Sequence, residues 1–312
     1  MKHTMNGSYR ELLRGSFKSG DTEEWLDIWF TRPIGLAMAM VCGRLGITPN
    51  AITLAGIVIG AVAGWLFHYS DLWHNALAVV LLMVANFCDS ADGQLARLTN
   101  QKTVLGRLLD GFASDVWFFC IYVSLVWRLW NEPMPLVGVE WKGWGFLLCA
   151  VAGFRCHATQ CALADYYRNI HLWFLKGDAG SELDSYAKEQ RIYDELSRKG
   201  WSFERVYHFF YKGYCKKQER LTPCFQTFFG ALGGHAANVA PRFLAGSRPL
   251  MPFTNILTHN TRAFALFVAA LINIPWLYPL FEIVVLHPLY LYMRDRHEHL
   301  CVTLMNRQND KD

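Results

Sequence analysis

The sequence predicts an all-α, polytopic membrane protein of about six spanning helices with an interfacial amphipathic helix at its N-terminal end. Three observations carry that prediction. Hydrophobic residues make up 53% of the chain and the mean hydropathy is positive, a balance unlike that of an ordinary soluble domain. These residues gather in runs near 51–68, 74–88, 105–129, 142–166, 261–275 and 276–293. Most runs approach the roughly 17–25 residues that a helix needs to cross hydrocarbon. Lys and Arg, finally, are concentrated in alternate connections, the pattern of a chain that crosses a bilayer repeatedly.

Taken in order, residues 1–45 form a charged leader. Trp25, Ile28 and Trp29 share one side of a helix there, and Leu36, Met40 and Val41 follow after Pro33. With Asp27, Arg32 and Arg44 alongside, this stretch reads as a helix lying on the cytoplasmic surface. The apolar run at 34–42 is short and has no small-residue cleavage site, so it is not read as a secretory signal. Residues 46–167 hold the first four spans. Residues 168–258 are rich in charge and then in Gly and Pro, and read as a cytoplasmic or interfacial insertion. Within it, 186–196 reads as a helix, and 204–229 mixes aromatics with Lys and Arg as a membrane-surface segment does. Residues 259–293 supply the last two spans, with Pro275 and Pro279 turning the chain between them, and 294–312 form a tail.

Six spans place both termini on one side. Only Arg128 and Lys142 then lie near the far face, so both ends and the 97–107 connection are assigned to the cytoplasm. The nine cysteines lack framework spacing and imply neither disulfides nor zinc. Cys156, His157 and Cys161 read as core packing, since adjacent residues point to different helix faces. No nucleic-acid partner is expected.

Chemistry concentrates where the second span ends and the third begins. The first segment runs Asn86-Phe87-Cys88-Asp89-Ser90-Ala91-Asp92-Gly93-Gln94-Leu95-Ala96-Arg97; the second runs Gly106-Arg107-Leu108-Leu109-Asp110-Gly111-Phe112-Ala113-Ser114-Asp115. Asp89 and Asp92, three apart, share a helix face. Carboxylates crowded near hydrocarbon repel one another and lose hydration, a penalty that a bound cation removes. Hard oxygen donors suit Mg²⁺ or Mn²⁺, which commonly bridge to substrate phosphates. Gly93 and Ala96 leave a face without bulk, and Arg97 adds a charge for phosphate or carboxylate.

The pattern Asp-x2-Asp-Gly-x2-Ala-Arg, eight residues, then Gly-x3-Asp resembles the signature of the CDP-alcohol phosphotransferases. Gly46-Ile47-Thr48-Pro49-Asn50-Ala51-Ile52-Thr53 resembles the opening of that family's first span, and the likeness covers roughly residues 25–166. It implies that an alcohol attacks the β-phosphorus of a CDP-linked substrate and CMP leaves. It further implies two metal ions on Asp89, Asp92 and Asp110, with Gly93, Ala96, Arg97 and Gly106 against the CDP part. Homodimers are common in the family, and membrane lipids are the expected surroundings.

One position departs from the family, which ends Asp-x3-Asp with the last carboxylate as ligand and base. Here position 114 is serine and the carboxylate is Asp115, about 140° from Asp110 on a regular helix. A one-residue π-bulge in the third span returns it to the metal face, making Asp115 both ligand and catalytic base; the rival is Ser114 beside the metals. Arg155, inside the fourth span, either contacts an anionic acceptor or pairs with the aspartates. Arg262, opening the fifth span, is a second acceptor candidate, and Glu282 and His287 read as structural. The expected substrates are CDP-diacylglycerol with a polar acceptor such as inositol, inositol phosphate or glycerol phosphate. The alternative is a soluble CDP-alcohol donating its head group to diacylglycerol or ceramide. Remoter readings are a membrane prenyltransferase, which needs a second aspartate-rich motif, and a transporter whose polar cluster lines an ion path.

Overall fold

A computed structural model describes residues 8–16, 19–101, 103–135, 137–232 and 236–309. It is helical throughout, and its β-structure among the described residues is one isolated bridge between Pro133 and Glu140. The chain divides into two compact units.

The first unit contains α1 (Tyr9–Ser16), Glu23–Cys156 and Arg262–Ile283. A π-helical turn at Asp27–Thr31 leads into α2 (Arg32–Arg44), with Pro33 in its first turn, where the missing amide hydrogen costs nothing. This is the helix expected in the leader; Trp25 just before the π-helical turn and Trp29 within it are exposed. Next come α3 (Pro49–Leu66), α4 (Leu72–Thr99) and α5 (Val104–Leu129), each opened by a side-chain cap. Thr48 accepts from the Ala51 amide, Asp71 from His74 and Thr103 from Gly106. Each cap satisfies an amide that no helical carbonyl reaches. α4 ends at Asn100 in the left-handed region.

Small residues set the spacing of these helices. Gly56, Gly60 and Gly64 recur every four residues along α3 and form the floor on which α5 lies. A methyl group on Gly60 would fall 2.2 Å from the Trp117 indole, and one on Gly64 2.7 Å from Cys120 Cβ. Trp117 is fully buried in a core with Phe67, Leu82, Ala85, Phe118, Ile121 and Leu125. Close backbone approach through glycine is what brings apolar helices together when hydrophobic burial cannot drive them. α2 docks on α4 in the same way, Gly35 facing Ser90 and Gln94, while Gln94 Nε2 donates to the Arg32 carbonyl at 3.0 Å. At the opposite end of α5, Arg128 donates to the carbonyls of Phe67 and Tyr69 and to the side chains of Asn75 and Asn273.

Four helices are long and apolar enough to cross a membrane: Pro49–Leu66, Leu72–Thr99, Leu108–Leu129 and the run Lys142–Lys176. That run comprises α6 (Lys142–Ala150), a π-helical turn at Val151–His157 and α7 (Ala158–Lys176). The fifth and sixth expected spans do not meet the same standard. α13 (His259–Leu271) has 13 residues, about 20 Å of helix against about 30 Å of hydrocarbon. The last run is divided into α14 (Leu277–Phe281), a π-helical turn at Glu282–Leu286 and α15 (His287–Asn309), which is charged from Arg294 to Glu298.

The second unit is built from the 19–22 segment, His157–Thr261 and the chain from Val284 onward. The 168–258 segment contributes α8 (Tyr186–Lys199), α9 (Phe203–Leu221), α10 (Pro223–Ala231), α11 (Ala236–Ser247) and α12 (Met251–Ile256). Phe174, Phe228 and Phe243 stack at its centre. His171 Nδ1 lies 2.8 Å from Ser247 Oγ and its Nε2 lies 3.2 Å from Asp21, which Arg248 also holds at 3.0 Å. All nine cysteines are free.

Candidate active site

α4 brings Asp89 and Asp92 to one face near its C-terminal end, and α5 presents Asp110 two turns from its start. The Asp89 and Asp110 side chains meet directly, and Asp89 also lies within electrostatic reach of Asp92 and Arg32. Two carboxyl groups in contact repel unless a proton or a cation lies between them. Asp92 is 4% exposed. It takes a hydrogen bond from the Thr53 side chain, and its Oδ2 has no hydrogen-bond partner among the described residues. A buried carboxylate oxygen left in that state is costly without a ligand.

Cations border the carboxylates. Arg97 lies within reach of Asp92, Asp110 and the Glu23–Arg32 pair, and Arg32 Nη2 binds Glu23 Oε1 at 3.1 Å with Glu23 almost fully buried. The two glycines assigned to CDP differ in kind. A Cβ on Gly93 would meet only the far end of Arg97, at 3.5 Å, so this position stays open for a ligand. A Cβ on Gly106 would sit 2.8 Å from Asn50 Oδ1 and 3.0 Å from Thr103 Oγ1, so packing at the α5 cap already requires glycine. Ala96 is half-buried on α4.

Three expectations change at this level. The π-bulge in the third span is absent: α5 is α-helical from Val104 to Leu129, and the π-helical turns lie at Asp27–Thr31, Val151–His157 and Glu282–Leu286. An unbroken helix keeps Ser114 on the Asp110 face and turns Asp115 about 140° from it, so Asp115 is not carried to the metal face as expected. Gly111 and Asp115, four residues apart, instead lie along one exposed strip of α5, with no heavy atom within 4 Å of a Cβ built on Gly111. Arg262 is not available to an acceptor. It is fully buried, its Nε 3.3 Å from Glu282 Oε1, and Tyr122 and Tyr278 donate to the same carboxylate; Glu282 is structural, as expected. Arg155 is exposed on the π-helical turn 151–157.

Thr53, Glu23 and Arg32 were not identified from sequence as site residues. Thr53 stands in the Thr48–Thr53 run at the start of α3, where a threonine one turn after Pro49 signals only a bond to that residue's carbonyl; the carbonyl lies 3.1 Å from the hydroxyl and shares its one proton with Asp92. Nothing in the spacing of Glu23 and Arg32 links them to α4.

The donor set suits a divalent hard cation: carboxylates only, one with an orphaned buried oxygen and two in mutual contact. Among the described residues no group of three or more His, Cys, Asp or Glu is placed to hold a metal ion by itself. Mg²⁺ and Mn²⁺ sites that work on phosphates take many of their ligands from water and substrate.

Residues 46–171 match the sequence model of the CDP-alcohol phosphatidyltransferase family. Among curated proteins, the archaetidylinositol phosphate synthase of Pyrococcus horikoshii is 41% identical over 66 residues, 21% of this chain and 34% of that protein. The CMP-forming cardiolipin synthase of Streptomyces coelicolor is 32% identical over 91 residues, 28% of this chain and 41% of that protein. The CDP-diacylglycerol–serine O-phosphatidyltransferase of Bacillus subtilis is 30% identical over 109 residues, 35% of this chain and 55% of that protein. The chain thus spans between about a third and about half of the length of these relatives.

Proposed function

With residues 46–171 carrying the CDP-alcohol phosphatidyltransferase family's sequence model, we propose that this chain is a phospholipid-synthesising transferase. An alcohol attacks the β-phosphorus of a CDP-linked substrate, forming a new P–O bond as the bond to CMP breaks. The observation that carries this reading is the buried Asp92 with its unpartnered Oδ2, beside the touching Asp89 and Asp110. The Bacillus subtilis relative, named for phosphatidyl transfer from CDP-diacylglycerol to serine, supports CDP-diacylglycerol as donor and a polar alcohol as acceptor.

Asp89, Asp92 and Asp110 hold the divalent ions, two by family likeness. When bound, such ions neutralise the pyrophosphate and the charge that develops on the leaving phosphate. Thr53 fixes the Asp92 carboxylate, leaving its second oxygen for the metal side. The open face at Gly93 and Ala96 admits the CDP part, and Arg97 offers its guanidinium to a phosphate. Arg32, held by Glu23, keeps a second positive charge beside Asp89. Asp115 lies beyond Gly111 on the exposed strip of α5, outside the ligand set. It takes the proton of an alcohol lying over Gly111, separating the base from the metal ligands. Arg155 is the remaining acceptor candidate.

The family likeness also supports a homodimer, and the distribution of Lys and Arg supports an active site and termini on the cytoplasmic side. The deciding experiment incubates purified full-length protein with Mg²⁺ or Mn²⁺ and CDP-diacylglycerol, with a panel of polar alcohols, and measures CMP release. A parallel arm supplies CDP-alcohols with diacylglycerol or ceramide. Acceptor-dependent CMP in the first arm, lost in Asp92→Asn, is the expected result. CMP only in the second arm reverses donor and acceptor, and none in either overturns the reading.

A further inference from the structure

The second unit carries an exposed apolar face that the transfer chemistry does not use. On α9, Phe203, Val206 and Phe210 follow one another at helical spacing and are 68%, 36% and 55% exposed; Phe209 beside them is 52% exposed, and Trp201, just before the helix, 73%. Trp201 and Phe203 meet edge to face. The opposite face of α9, at Tyr207, Cys215 and Gln218, is buried, and Gln218 donates to the Ala162 carbonyl and to Asp165 on α7. The helix is therefore seated on its own unit by one side and offers bulky apolar rings on the other.

Basic residues border that stripe. α9 carries Arg205, Lys212, Lys216, Lys217 and Arg220 against only Glu204 and Glu219. Glu204 lies in the first turn, where the helix dipole attracts it, and Glu219 accepts from the Tyr186 amide at 2.7 Å. By helical phase Arg205, Lys212 and Lys216 fall together on one flank of the aromatic stripe. Lys212 Nζ stands 3.5 Å over the Tyr193 ring and Lys216 5.0 Å over Tyr186, which anchors the stems of these lysines on α8. Arg198 and Lys199 close the last turn of α8 beside Trp201.

We propose that α9 docks on an anionic lipid surface, with Trp201, Phe203, Val206 and Phe210 at the level of the acyl boundary and the Arg205–Lys212–Lys216 flank on acidic headgroups. An aromatic stripe edged by lysines is the composition of interfacial helices. The centre of a protein–protein interface, by contrast, is depleted in lysine. The same chain has four helices long and apolar enough to cross a membrane.

The test uses the full chain in nanodiscs holding one copy each, made of phosphatidylcholine alone or with roughly a third phosphatidylglycerol, and measures amide hydrogen exchange. Exchange over 201–212 is expected to slow about tenfold in the anionic discs relative to the neutral ones. The Trp201→Ser/Phe203→Ser/Phe210→Ser variant loses that protection, and Arg205→Gln/Lys212→Gln/Lys216→Gln loses the dependence on phosphatidylglycerol. Unchanged exchange in α10 and α15 verifies that both variants fold. Equal exchange over 201–212 in both kinds of disc and in detergent overturns the proposal. So does protection that appears in detergent and rises with protein concentration, which would give the face to a second copy of the chain.

Discussion

The indole Nε1 of Trp117 donates to the carbonyl oxygen of Gly56 at 3.1 Å, linking α5 to α3 through a helix carbonyl that only a glycine-lined surface exposes. The α3–α5 spacing sets where Asp110 stands relative to the site. Replacing Gly60 by alanine places a methyl group 2.2 Å from the indole, and overpacking of this kind costs about 1–3 kcal/mol. Thermal unfolding in detergent is expected to show that loss, together with reduced CMP release. Val58→Ala, on the 56% exposed side of the same helix, is expected to stay within about 0.5 kcal/mol.

Asp92→Asn removes the charge that faces the unpartnered side of the site. Mn²⁺ binding followed by electron paramagnetic resonance is expected to disappear in this variant while its thermal unfolding is retained. Thr53→Val leaves the carboxylate but frees its orientation, and a support of this kind is worth about 10–100-fold in metal affinity. Unchanged Mn²⁺ affinity in Thr53→Val would remove the positioning role given to its hydroxyl.

In the proposed reaction Asp115 is the base and Asp110 a metal ligand, two roles that metal affinity and turnover can tell apart. Asp115→Asn is expected to lower kcat by about 10²–10⁴-fold and leave Mn²⁺ affinity as it was, because α5 turns this side chain away from the Asp110 face. Asp110→Asn is expected to lose both. Loss of metal affinity in Asp115→Asn would show that the helix distorts when loaded.

Arg262 and Glu282 are both fully buried, so removing one charge strands the other. Glu282→Gln is expected to destabilise the first unit by about 3–5 kcal/mol, and Arg262→Leu/Glu282→Leu to recover most of it. The KM for the acceptor should be unchanged in the double variant, as expected of a structural pair.

His297 in the second unit is fully buried and stacked on Tyr167, with ring centroids 3.7 Å apart. Burial first, and then the charge of His171, pushes its pKa down from 6.5 to about 3. The unfolded chain therefore takes up this proton before the folded one. Stability is full above about pH 6.5 and falls as the pH drops toward 3. His297→Phe, which leaves Nε2 with no lost partner among the described residues, is expected to flatten the unfolding temperature between pH 7.5 and 5.

Much of this protein was legible in its linear order, for reasons that can be named. Spans such as 49–66 and 108–129 declare themselves because hydrocarbon demands long uninterrupted apolar helices. Asp89, Asp92 and Asp110 stand out because carboxylates are costly beside a membrane, and the structure brings Asp89 and Asp110 into contact. The short last runs at 259–293 fall below the length and hydropathy of those helices; burial inside a helical unit has the same apolar signature as burial in lipid. Gly56, Gly60 and Gly64 passed unnoticed because small residues gain meaning only when the facing side chain is known.

Sequence alone determined the all-helical class with long apolar helices and the helix in the leader, and it singled out Asp89, Asp92 and Asp110, since these follow from local hydropathy and from charges near in the chain. The tertiary structure decided that α5 runs unbroken past Asp115, that Thr53 holds Asp92 and that Arg262 is spent on Glu282. Those outcomes depend on packing between residues as far apart as 53 and 92 or 262 and 282. Helix phase at one residue, or the partner of a buried charge, is fixed by the sum of many such contacts, and no local pattern in the chain encodes that sum.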